Sequence, residues 1–128
     1  MSYYFSKMLD GPFDDAVVKV KAALAQEGFG VISEIDIRQT LKSKIGVEFR
    51  PYLILGACSP ALAHEALLLE DKVGLMLPCN VIVQGADDSR IEVAAIDPAA
   101  SMQSIDNQAL KAQAARVGEK LQAALERL

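Results

Sequence analysis

The chain has 128 residues, 52% of them hydrophobic but only 5% aromatic and none of them Trp, which predicts a single domain over residues 1–128 with a core of Ala, Val, Ile and Leu. Thirteen Lys and Arg stand against 17 Asp and Glu, for a net charge of -4. That balance argues against phosphate-backbone binding, so no nucleic acid partner is expected.

The first element, "YYFSKML", is a short aromatic strand bounded by Asp10, Gly11 and Pro12. Pro12 suits a first helical turn. Phe13, Ala16, Val17, Val20 and Leu24 then line one helical face, Asp14 and Asp15 favour its N-terminal dipole, and Gly28 is placed to end it. "GFGVISEIDI" switches to alternation. It predicts a strand with Val31, Ser33, Ile35 and Ile37 on one face and Ile32, Glu34, Asp36 and Arg38 on a wet one. "RQTLKSKIG" reads as a short helical connector ending at Gly46.

"PYLILGAC" is apolar on both faces, as expected of a strand inside the sheet. Ser59 and Pro60 form an N-cap and first-turn proline for the helix "PALAHEALLLED". The segments "LPCNVIVQ" and "RIEVAAI" flank "GADDS" as a hairpin, with Cys79, Val81 and Val83 facing Ile91, Val93 and Ala95. Asp97 and Pro98 close it. From about Asp106 to Leu128, the spacing of Leu110, Ala114, Val117, Leu121, Ala124 and Leu128 predicts a long helix with an apolar seam, weakened at Gly118 by roughly 1 kcal/mol. The order β-α-β-(short α)-β-α-β-β-α predicts an α+β fold, a mainly antiparallel sheet covered by helices.

"GFGVISEIDI", "YLILGACSP" and "LMLPCNVIV", in this order, resemble the bacterial and archaeal domain-of-unknown-function family numbered 302, and the resemblance covers essentially the whole chain. It implies a compact α+β domain with helices on an antiparallel sheet, often a homodimer, and no known activity. By position it points to Gly56, Cys58 and Pro60 in the first motif and to Pro78, Cys79 and Asn80 in the second.

Cys58 precedes a helix start, where peptide N–H groups and the helix dipole lower a thiol pKa and favour reactivity. Small apolar filler is the commoner fate of such a residue and is the reading weighed above it. Cys58 and Cys79 are the candidate catalytic residues. They meet only if their strands run antiparallel, since a parallel pair would put them at opposite ends. His64, the single histidine, could join them as a weak metal or base candidate, but it lies almost two turns into its helix and lacks zinc-site spacing. Glu34 with Asp36, and the basic group Arg38, Lys42, Lys44 and Arg50, read as solvated faces ahead of acid–base or anion sites.

No phosphate loop, metal-binding helix motif or catalytic triad is present. The expectation is therefore a small-ligand or protein-binding module without a cofactor, forming a homodimer, its pocket built from Gly56, Cys58, Ser59, Pro60, Pro78, Cys79 and Asn80. The alternatives are a thiol-dependent redox or sulfur-handling protein using Cys58 and Cys79, or a soft-metal binder. The C-terminal seam either covers the sheet or forms the subunit contact. The apolar region 52–69 is interrupted by Pro60, His64 and Glu65, and "MSYYFSKMLDG" has no signal-peptide core, so a cytoplasmic protein without a membrane partner and with reduced thiols is expected.

Overall fold

The computed structural model describes residues 2–128. In chain order the elements are β1 (Tyr4–Asp10), α1 (Phe13–Gln26), β2 (Gly30–Asp36), α2 (Ile37–Ile45), β3 (Tyr52–Cys58), α3 (Pro60–Leu69), a 3-10 helix (Asp71–Met76), β4 (Cys79–Gly85), β5 (Arg90–Ile96), α4 (Pro98–Ser101) and α5 (Gln108–Glu126). The strands form one sheet in the order β1-β5-β4-β3-β2, with every neighbouring pair antiparallel. This is the expected α+β arrangement, and β3 lies inside the sheet as its two apolar faces implied.

Period-2 alternation gives the sheet two unlike faces. On one, Leu55, Ala57, Cys79, Val81, Val83, Ile91, Val93 and Ala95 are buried under Ala16, Val20, Ala23 and Leu24 of α1 and Val117, Leu121, Ala124 and Leu125 of α5. Full burial of a leucine such as Leu24, Leu55 or Leu121 stabilises by roughly 1.5–3 kcal/mol. A second cluster joins Ala66 of α3, Val73, Met102 and the first turns of α5 through Leu110 and Ala114. On the opposite face Tyr4, Met8 and Ile35 are exposed, while Tyr52, Ile54, Ile82 and Ala94 are only half-buried. The apolar character of β3 on both faces therefore marks one covered and one uncovered side.

The end and the facing of β2 depart from expectation, and α5 resolves two further points. The strand β2 stops at Asp36, whose Oδ1 accepts from Gln39 N at 2.9 Å and starts α2, so Ile37 and Arg38 are helical. A bulge at Ile32 shifts the register between Val31 and Ser33. Val31 packs on the helix-covered side, and Ser33 and Ile35 turn to the other. The C-terminal seam is used inside the chain, the first of its two expected uses: Leu110, Ala114, Val117, Leu121 and Ala124 are all buried. Gly118 packs closely, since a Cβ there would lie 3.3 Å from Asp97 Oδ1, which would have to give by a few tenths of an ångström, and in ordinary contact with Pro98 Cδ at 3.5 Å. That approach comes from α4, a turn the sequence reading did not separate.

Candidate functional site

The two apolar clusters do not close on each other. Between them lies a cavity of about 320 Å³, at the lower end of the roughly 300–1,000 Å³ range of small-ligand sites. Phe29, Ala57, Cys79 and Val117 line it from the sheet core, and Ala66, Met102 and Ala114 from the second cluster. Of the lining residues, Ile32 is 65% exposed and Cys58, Ser59, Leu62 and Ala63 are partly exposed, so the mouth opens between the β2 bulge and the first turns of α3.

Antiparallel pairing of β3 with β4 sets Ala57 opposite Cys79 and brings Cys58 to the same sheet end. Both residues line the cavity and both thiols are free. Burial, reinforced by the neighbouring Cys58, pushes the Cys79 thiol up to about 11. It is therefore protonated at neutral pH. The pairing also offsets the two residues by one position, and consecutive strand side chains point to opposite faces, an unfavourable start for a disulfide.

Of the expected pocket residues, Cys58, Ser59, Pro78 and Cys79 line the cavity. Gly56 acts from behind it: a Cβ there would fall 2.7 Å from Pro78 Cγ and 2.2 Å from Ser33 Oγ, so only glycine lets the Pro78 ring settle against β3. The two sequence motifs are thus packing partners. Pro60 is exposed at the first turn of α3, and Asn80 is exposed on the uncovered sheet face. Ser59 occupies the N-cap position, but its side chain makes no capping hydrogen bond. His64 is exposed on α3 and is not among the lining residues. Among the described residues, no group of three or more His, Cys, Asp or Glu could hold a metal ion.

Four of the other candidates are drawn into ordinary surface contacts, and Glu34, Asp36 and Arg38 line one surface hollow with Phe13 and Tyr52. Glu34 pairs with Lys21 at 2.9 Å and Asp36 caps α2. Lys42 pairs with Glu48 at 3.7 Å, while Arg50 donates to Gln84 at 2.8 Å and lies over the Phe49 ring.

The residue missed in the sequence is Gln113, which lines the cavity and is only 2% exposed. Its place within the apolar seam, three residues after Leu110 and one before Ala114, was the available signal. Nε2 donates to the Leu62 carbonyl at 2.7 Å. Since a carbonyl only accepts, this bond settles which end of the amide is oxygen. No protein donor among the described residues reaches Oε1, and no buried side-chain oxygen is sealed off without a partner, so Oε1 opens onto the cavity. Two more α5 contacts hold α3: Asn107 Nδ2 donates to Leu69 O at 2.8 Å, and Arg116 pairs with Glu65 at 3.1 Å.

A family model described as "Domain of unknown function DUF302" matches residues 5–128. Among solved structures, the crystal structure of an uncharacterised conserved DUF302 protein from Bacillus stearothermophilus is similar. The two chains are 26% identical, the match covers 99% of this chain and 98% of that one, and the TM-score is 0.92. No curated protein matches.

Proposed function

The chain belongs to the DUF302 family, whose description names a domain and no activity, so we propose a function from the cavity itself: this is a small-ligand-binding module with its site at the shared end of β3 and β4. The observation that carries this reading is a cavity of about 320 Å³ open at one side and lined almost entirely by apolar side chains. Such a site favours apolar ligands because water inside it has few partners.

Calorimetric titration with butylbenzene tests the proposal. Saturable one-site binding is expected, and the Ala114→Leu variant, which fills the cavity from α5, should weaken it at least tenfold. Failure of the wild-type protein to bind would remove the proposal.

The module works as a homodimer through the uncovered sheet face, where Ile54 and Ile82 are half-buried without a covering helix. Unpartnered apolar area of this kind is what a self-complementary two-fold contact uses. Sedimentation velocity should find a dimer that Ile82→Lys converts to monomer. A wild-type monomer at high concentration would exclude it.

The same sheet end favours a second reading, thiol exchange between Cys58 and Cys79. Its support is that both cysteines line one cavity; the raised Cys79 pKa and the offset register weigh against it. A soft metal held by the two thiols would lack a third ligand from His64. Two unbridged thiols suit the reducing conditions of a cytoplasmic setting, and no helix among the described residues is long and apolar enough to cross a membrane.

A further inference from the structure

The cavity contains one polar side chain that is almost wholly buried, and its hydrogen-bonding capacity is unequally used. The Gln113 amide spends an N–H on Leu62 O, which leaves Oε1 facing the cavity as an acceptor without a protein donor. A second fact limits what can reach it: no Asp, Glu, Lys, Arg or His is among the lining residues. An ionised carboxylate or ammonium entering there would lose its hydration without gaining an opposite charge.

An acceptor at the wall and an apolar, uncharged interior together define one ligand chemistry. We infer that Gln113 selects the ligand, and that the cavity takes a neutral, mainly apolar small molecule carrying one hydrogen-bond donor, such as an alcohol, a phenol or an amide N–H, directed at Gln113 Oε1. This rests on reading the cavity as the binding site. A hydrocarbon of the same shape would cover Oε1 and remove it from water without replacing the bond, so the donor is favoured twice, by the bond it makes and by the desolvation it offsets.

Gln113 can be altered without dismantling α3. The Leu62 carbonyl lies within α3, where the helical pattern supplies it with a donor from Ala66. Gln113→Met keeps the length of the side chain and removes both the acceptor and the donor.

The test compares three probes by titration calorimetry: 4-butylphenol, butylbenzene and 4-butylbenzoate. The phenol is expected to bind about tenfold more tightly than the hydrocarbon, and the carboxylate at least tenfold more weakly than the phenol. In Gln113→Met the phenol should fall to the level of the hydrocarbon. If phenol and hydrocarbon bind the wild type equally, the selector role is wrong and the cavity remains a ligand site. Equal binding of phenol and carboxylate would overturn the neutral class. If no probe binds, the cavity reading and this inference fall together. Should the variant not fold, the wild-type protein still decides: addition of the phenol must shift the Gln113 side-chain amide resonances, and unchanged resonances at saturation overturn the assignment.

Discussion

Cys79 links burial to stability in a pH window set by its own ionisation. In the folded chain it is 7% exposed and its thiol is raised from 9.0 to about 11. The native state therefore holds this proton more tightly than the unfolded state does. The resulting stability is fully present below pH 9 and is lost as the pH rises towards 11, the loss amounting to about 2–3 kcal/mol across that range. Denaturant unfolding from pH 8 to 11 should show this loss in the wild type and a correspondingly shallower one in Cys79→Ala; parallel curves would mean that Cys79 ionises without resistance. Alkylation followed by peptide mass spectrometry should label Cys58, which reaches the cavity mouth, well before Cys79, which should require denaturant. At this scale the sequence was only half legible. The thiols stood out because they are rare, whereas Gln113 is one polar residue within an amphipathic helix and gains its meaning only from Leu62, 51 positions away.

Local punctuation made most elements readable, because helix and strand periods and the residues that end them act over a few positions. Gly28 and Gly46 end their segments at φ +87° and +66°, and the hairpin register sets Val81 opposite Ala95 and Val83 opposite Val93 as the alternation implied. The bulge at Ile32 and the close approach of α4 to Gly118 were not readable, since each depends on a partner strand or helix. Gly56→Ala tests such a contact. Its Cβ would be forced against the Pro78 ring, so a loss of about 1–3 kcal/mol is expected in chemical denaturation; a neutral result would show that β3 and the Pro78 turn separate freely. Asn107 serves two elements, with Oδ1 accepting from Leu110 N to cap α5 and Nδ2 donating to Leu69 O at the end of α3. Asn107→Ala should cost about 1–3 kcal/mol, and hydrogen exchange should accelerate in α3 as well as in the first turn of α5.

The whole molecule holds two apolar clusters, one between the sheet and α1 with α5, the other around the first turns of α5. Their imperfect junction is the cavity. No periodicity in the chain announces it, because its walls come from segments far apart in sequence. If the uncovered sheet face joins two copies, the thermal midpoint should rise with protein concentration in the wild type and become independent of it in Ile82→Lys. The placement of β1 has a further consequence for how the chain is made. Among the described residues its only strand neighbour is β5, with Tyr4 opposite Ile96, so about ninety residues must emerge before the first strand can pair. At roughly 5–20 residues per second, β1 waits on the order of 5–20 s during synthesis with its edge unsatisfied. Lys7 at the middle of that strand and the exposed Asp10 at its end break its apolar residues into short runs, which suits a segment that must stay unpaired until the far half of the sheet arrives.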